Sequence, residues 1–194
     1  ICAVCEGLPL AIELAAGQVR QLSVPEIAAA ITADLAVLTS GLRDLPPRQR
    51  SIRATFATSL ARLTPADRQT YLRLSCFTGS FSAAAAQSIC NATEAQLDQF
   101  IERSLLRRAT DERYEMHTLL RQFTDAELHA HEPEATISAL FARHSALYLD
   151  QAGALVANFQ HAPQAAARQL QPDLANLRTA WQYAIANAQI AQLA

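Results

Sequence analysis

The sequence predicts a mainly helical fold with one small β-hairpin, and three observations carry this prediction. Alanine and leucine, both strong helix formers, dominate a chain of 194 residues that contains only five glycines. Apolar residues recur three and four positions apart through most of the chain, which is typical of amphipathic helices. Only around position 110 does the pattern alternate with a period of two, as it does in strands.

The overall composition is that of a folded globular protein. Hydrophobic residues make up 51% and charged residues 18% of the chain, with a net charge of −2. The bulk charge shows none of the basic excess that is typical of a dedicated nucleic-acid binder. No apolar run approaches the roughly 20 residues that span a bilayer, and no signal peptide begins the sequence. We therefore expect a cytoplasmic protein without a membrane anchor, and we expect the sequence to begin inside a longer protein.

Residues 1–45 are predicted to form a small helical domain. Gly7-Leu8-Pro9 predicts a turn between two helical segments, and Pro9 suits the first turn of a helix because its missing N–H has no partner there. Ser23-Val24-Pro25-Glu26 has the form of a capping box and predicts that the next helix begins there. Pro46-Pro47 then predicts a linker, since two adjacent prolines are incompatible with a helix.

Residues 48–130 are predicted to form a winged-helix domain, with three helices, a hairpin and a further helix in that order. Thr64-Pro65-Ala66-Asp67 and the capping box Thr93-Glu94-Ala95-Gln96 mark two of the helix starts. In the hairpin, Leu106–Thr110 and Arg113–His117 are the two predicted strands. The alternation places Tyr114 and Met116 on one face and His117 on the opposite face.

Residues 133–194 are predicted to form a helical arm, the beginning of a TPR-like or superhelical region. The sequence after Pro133 has a purely helical periodicity. After Pro172, an apolar stripe recurs at helical spacing, formed by Leu174, Leu177, Trp181 and Ile185.

Two runs of the sequence resemble a known family. The run Cys5-Glu6-Gly7-Leu8-Pro9-Leu10-Ala11-Ile12-Glu13-Leu14-Ala15 resembles the GLPLA motif of NB-ARC proteins, within the STAND class of signal-transduction ATPases. The chain after it is similar to bacterial members of LuxR or SARP regulator type. The further matching segments are Arg53-Ala54-Thr55, Ser59-Leu60, Leu63-Thr64, Leu72-Arg73-Leu74-Ser75 with Phe77, Gly79-Ser80-Phe81 and Asp173-Leu174-Ala175-Asn176-Leu177-Arg178.

Met116-His117-Thr118 resembles the second landmark of the family, the MHD motif at the end of the winged helix. The resemblance implies two nucleotide-binding residues: His117 at the β-phosphate of bound ADP and Pro9 against the adenine. The third motif position departs from the family, because Thr118 replaces the aspartate. We expect Thr118 to cap the following helix in its place.

The resemblance also implies a function for the longer parent protein. Family members carry a phosphate-binding loop upstream of GLPLA, and this sequence contains no G-x-x-x-x-G-K-[ST] segment. We therefore expect a regulatory lid that is catalytically inactive alone. The resemblance implies that the full-length parent is an NTPase with ATP or ADP as its cofactor, and we expect no cofactor in the isolated chain. The expected partners are the upstream nucleotide-binding domain and proteins, or further copies, that bind the arm.

Two alternative functions remain open: a winged-helix DNA-binding regulator and a helical protein-interaction scaffold. DNA contact is not expected, because the third helix of the predicted winged helix carries Glu94, Asp98 and Glu102, which phosphates repel. No catalytic or metal-binding residues are predicted. Cys2-Ala3-Val4-Cys5 lacks the second ligand pair of a zinc site, and His129 and His131 are two residues apart on a helix, pointing to different sides.

Overall fold

The computed structural model describes residues 1–40, 50–110 and 112–188, and of residues 157–160 it describes the backbone alone. The predicted linker at Pro46-Pro47 lies outside the described residues, as does Asp111 of the predicted hairpin turn. The predicted domain limits at 45 and 48 fall in the same gap, so the three-domain scheme stays a prediction.

The fold class is mainly α, which confirms the prediction. The helices are α1 (Pro9–Gly17), α2 (Val24–Ala33), α3 (Ile52–Leu60), α4 (Pro65–Arg73), α5 (Ala83–Cys90), α6 (Glu94–Glu102), α7 (Thr118–His131), α8 (Glu134–His161), α9 (Pro163–Leu170) and α10 (Leu174–Ala186). Short 3₁₀ turns lie at Gln18–Arg20, Leu35–Val37, Leu74–Cys76 and Gln171–Asp173. None of the described helices is both long and apolar enough to cross a membrane.

A three-stranded antiparallel sheet contains the predicted hairpin and one strand that the sequence did not predict. The strands are β1 (Phe81–Ser82), β2 (Arg107–Thr110) and β3 (Arg113–Glu115), in the order β1-β3-β2. Phe81 pairs with Tyr114 across the β1–β3 ladder. A strand of two residues is too short to show a period of two, which is why β1 is invisible in the sequence.

Most predicted helix starts are confirmed by their capping contacts. Both capping boxes form, at Ser23 with Glu26 and at Thr93 with Gln96. The segment before α1 differs from the prediction, because residues 2–7 form consecutive turns and no helix. Glu6 and Gly7 have positive φ angles of 44° and 76°, which end the helical winding after about one turn.

The first of two compact units comprises Ile1–Arg68 and His117–Thr124. Its core contains buried apolar residues of α1, α2, α3 and the first turns of α7, among them Leu14, Ile31, Leu60 and Leu119. The Phe56 and Phe123 rings pack with their centroids 5.7 Å apart, so α3 and α7 share this core.

The second unit comprises Gln69–Met116 and Asp125–Ala194. Its core is aromatic, with Phe77 stacked on Phe81 at a centroid distance of 4.2 Å. Within this unit α8 packs against both α9 and α10. The apolar stripe on α10 is not its packing face, since Leu174, Trp181 and Ile185 are 54%, 48% and 59% exposed. Helix α10 instead buries the small face formed by Asn176, Ala180 and Ala184.

Candidate functional site

Pro9 is the first residue of α1 and its side chain is exposed. Leu8 before it is extended, with φ −67° and ψ 112°, because a residue that precedes proline is disfavoured in the helical region. The Leu8 carbonyl accepts the Ile12 N–H at 3.0 Å and so begins the helix. This geometry leaves the ring of Pro9 accessible at a rigid helix start.

The turn before Pro9 contains two consecutive residues, Glu6 and Gly7, with the positive φ angles that glycine favours. Gly7 has φ 76°, and a Cβ added to it would meet no atom within 4 Å. The requirement for glycine is therefore a backbone requirement and not one of space. Glu6 has a left-handed φ of 44°, which an L residue with a side chain rarely adopts.

His117 lies between β3 and α7, where the predicted alternation is confirmed. Met116 is buried, whereas the His117 side chain keeps 22% of its surface exposed. The His117 carbonyl accepts the Arg121 N–H at 2.8 Å, and its Nδ1 accepts the Leu119 N–H at 3.2 Å. The neutral imidazole therefore carries its proton on Nε2.

The cap of α7 differs from the expectation. Thr118 is the first residue of the helix, so His117 satisfies the Leu119 N–H in the position expected of a cap. The Thr118 hydroxyl has another role, because it donates to the carboxylate of Glu6. The expectation that Thr118 replaces the capping aspartate is therefore wrong in its geometry.

Glu6 brings the two landmark segments together within the first unit. Its Oε1 accepts both the Thr118 hydroxyl and, at 3.3 Å, the Thr118 backbone N–H, across 112 residues of sequence. Its Oε2 lies 3.8 Å from Nε2 of His117. This distance is too long for a hydrogen bond, so the carboxylate and the imidazole interact only electrostatically. The sequence analysis includes Glu6 in the GLPLA-like run but gives it no role, although its position directly before Gly7 is a signal that could have singled it out.

The groups of this cluster are of kinds that can bind a polar or charged ligand. It contains an imidazole N–H donor, a carboxylate and the first turn of a helix, whose N-terminus carries partial positive charge. Among the described residues, no group of three or more His, Cys, Asp or Glu side chains is placed to hold a metal ion.

The second unit contains a different polar cluster, where two other family-like runs meet. Asn176 on α10 is fully buried; its Oδ1 accepts the Thr78 N–H and its Nδ2 donates to the Ser80 carbonyl, both at 2.9 Å. Arg113 on β3 donates to Ser80 Oγ at 2.9 Å, to the Ser80 carbonyl at 2.8 Å and to Asp173. We call these five residues the Asn176 junction.

His144 on α8 lies in the same unit and is fully buried beside Phe77 and Tyr148, at centroid distances of 5.7 and 4.7 Å. Burial disfavours the charged imidazolium and lowers the pKa of His144 to about 4, although the Asn176 side chain partly opposes this shift. His144 is therefore neutral at physiological pH.

Comparison with known proteins gives a distant relationship. Proteins named "Putative HTH-type transcriptional regulator" from Mycobacterium tuberculosis (strain ATCC 25618 / H37Rv) and Mycobacterium bovis are each 28% identical to this chain over 204 residues. The alignment covers 99% of this chain and 22% of each relative, so the chain spans about a fifth of their length. No protein-family model matches the chain, and no solved structure matches it.

The relatives and the fold agree at a coarse level. The relatives are named as regulators with a helix-turn-helix character, and this chain combines helices with the small three-stranded sheet that a winged helix requires. The described residues therefore have helical and winged-helix-like character, and the regulator name belongs to the relatives.

Proposed function

We propose that this chain is the regulatory lid of a nucleotide-switched transcriptional regulator of the NB-ARC and STAND type. In this proposal His117 and Pro9 contact ADP or ATP bound by the parent protein, and no residue of the chain is catalytic. The observation that carries the proposal is the meeting of the two landmark segments at Glu6. Its carboxylate accepts hydrogen bonds from Thr118 and lies 3.8 Å from Nε2 of His117.

The local chemistry suits this role. Nδ1 of His117 is occupied by the Leu119 N–H, so the Nε2 N–H is the group that would donate to a phosphate oxygen. Pro9 offers an exposed, rigid ring at a helix start, suited to an apolar face of a base. The phosphate-binding loop would belong to a domain upstream in the same parent chain, and residues 133–194 would form the arm that binds partners or further copies.

The test uses the full-length protein, purified and assayed for bound ADP and for the rate at which ADP leaves it. Replacing His117→Ala removes a hydrogen bond to a charged group, so ADP release should accelerate roughly tenfold or more. His129→Ala is the matched control, because His129 is an exposed histidine of α7 whose Nδ1 lies 2.9 Å from the Asp125 carbonyl oxygen. A full-length protein that binds no ADP, or equal release rates for both variants, would contradict the proposal.

A winged-helix DNA-binding regulator is the second candidate, and the names of the mycobacterial relatives favour it. The charges of the described residues weigh against DNA contact through the wing. Arg107 pairs with Glu115 at 3.0 Å and Arg108 pairs with Asp98 at 2.8 Å, so DNA phosphates would compete with carboxylates for both arginines.

Titration of this chain with duplex DNA separates the two candidates. DNA binding would fall steeply as salt rises, and an Arg107→Ala and Arg108→Ala double variant would weaken it. The lid proposal predicts a flat titration even at low salt. A third reading, a scaffold that binds proteins alone, predicts a full-length sequence without an intact phosphate-binding loop.

A further inference from the structure

Glu6 holds the turn before α1 against the first turn of α7. Its Oε1 receives two donors from Thr118, the hydroxyl and the backbone N–H at 3.3 Å. Its Oε2 faces Nε2 of His117 at 3.8 Å. The carboxylate therefore occupies the N-terminal end of a 14-residue helix, where negative charge is stabilised by N–H groups that have no partner within the helix and by the helix dipole.

The backbone at Glu6 adopts an unfavourable conformation to make this contact. A φ of 44° at a residue with a side chain is unfavourable relative to the ordinary right-handed helical region, because the Cβ approaches the backbone too closely. Such strain persists only where surrounding contacts hold it. The Glu6 contact is therefore a closed state with a built-in tendency to open.

The threonine at position 118 is compatible with the nearby Glu6 carboxylate, whereas an aspartate would not be. An aspartate at position 118 would place a second carboxylate against Glu6, where the Thr118 hydroxyl now donates to it. Two like charges at contact distance repel, whereas the hydroxyl adds a charge-assisted hydrogen bond. A threonine, in place of the aspartate of the motif that this segment resembles, thus favours the contact of Glu6 with α7.

We propose that Glu6 is a reversible strap that competes with nucleotide phosphate for His117 and the first turn of α7. The proposal rests on the proposed function, since it deepens the regulation of that same site. With the strap closed, a carboxylate faces the Nε2 N–H that a phosphate oxygen would accept. A phosphate that arrives there meets a like charge, so binding of nucleotide and closure of the strap oppose each other.

The first test measures ADP release from the full-length protein. Glu6→Gln keeps an oxygen that can accept from Thr118 but removes the negative charge, so ADP should leave more slowly, by roughly fivefold or more. Glu13→Gln is the control, because Glu13 is an exposed carboxylate of α1. Unchanged or faster ADP release from Glu6→Gln would overturn the strap. If Glu6 only supported the structure of the nucleotide site, replacing it would loosen that site and ADP would leave faster.

The second test needs no nucleotide and uses thermal unfolding of this chain. Thr118→Asp should lower the midpoint by roughly 2–4 °C because it opposes Glu6 with a like charge. Adding Glu6→Gln should restore the midpoint, since an amide N–H can donate to the new carboxylate. If Thr118→Asp leaves the unfolding midpoint unchanged, or if adding Glu6→Gln does not restore it, the contact between Glu6 and Thr118 does not exist as described.

The two tests separate the strap from the proposed function. A full-length protein that binds no ADP refutes the nucleotide site and with it the competition. In that event the thermal measurements still decide whether Glu6 and Thr118 are coupled in this chain.

Discussion

The Glu6 contact in the first unit and the Asn176 junction in the second unit are both polar and both join segments distant in sequence, yet they are built differently. At the junction Asn176 is fully buried, and both polar atoms of its amide are hydrogen-bonded at 2.9 Å. At Glu6 the side chains of Glu6 and His117 keep 25% and 22% of their surface exposed, and the backbone is strained.

The difference separates a permanent contact from one that can change. A buried polar group without its partner costs about 1–3 kcal/mol, so the junction resists opening. The Glu6 side chain keeps 25% of its surface exposed, so the contact loses less when it opens, because water replaces its partners. We therefore infer that the regulatory change lies at Glu6, whereas the junction holds the sheet and the helices of the second unit in one arrangement.

Breaking the ion pair of the junction should have the largest effect. Arg113→Met keeps the apolar stem but leaves Asp173, whose side chain is 19% exposed, without its arginine. Removing one partner of a fully buried pair costs about 3–5 kcal/mol of unfolding free energy, and we expect a loss near the lower end of this range for this part-buried pair, measured by urea denaturation. Arg107→Met is the control, since Arg107 is 54% exposed and its pair with Glu115 should contribute less than about 1 kcal/mol. Equal losses of unfolding free energy in Arg113→Met and Arg107→Met would contradict the conclusion that the Asn176 junction is a permanent contact.

Acid should weaken the second unit through His144. Its pKa is about 4 in the folded protein and 6.5 without burial, so the unfolded chain binds the proton more tightly. The stability that neutral His144 contributes is complete above pH 6.5 and is lost as the pH falls towards 4, by about 3 kcal/mol in total. Denaturation of the chain and of His144→Phe across this range measures the loss. Parallel pH profiles would show that His144 is not its source.

Crowding the junction should have a moderate effect. A Cβ on Gly79 would lie 3.0 Å from the Cβ of Ala175, so Gly79→Ala forces the loop and α10 apart and costs about 1–3 kcal/mol. Gly153→Ala is the matched control, because the space around Gly153 in α8 is open within 4 Å. Alanine favours a helix over glycine, so this control should stabilise the chain by up to about 1 kcal/mol. Similar outcomes for both variants would mean that the loop yields freely.

The parts of the fold that local interactions determine could be predicted from the sequence. The capping boxes at Ser23 and Thr93 act over three residues, and the alternation that buries Met116 and turns His117 outward is a property of the strand itself. Of the site, Pro9 at a helix start and His117 before α7 follow from these local rules, while their role toward nucleotide stays a prediction.

The remaining features depend on contacts between distant residues. Glu6 reaches Thr118 across 112 residues, and Asn176 reaches Thr78 across 98. The periodicity of α10 marks an apolar stripe, but it does not show that Asn176, Ala180 and Ala184 form the buried face. Small residues permit close helix packing, and which face of α10 is buried depends on its packing against the neighbouring α8.

Hydrogen exchange in the full-length protein, with and without ADP, tests the central contrast most directly. The amides to compare are that of Thr118, held by Glu6, and that of Thr78, held by Asn176. The account predicts that ADP changes exchange at the Thr118 amide, because Glu6 leaves it, and that the Thr78 amide stays as protected as before. Unchanged exchange at Thr118, or an equal change at Thr78, would contradict it.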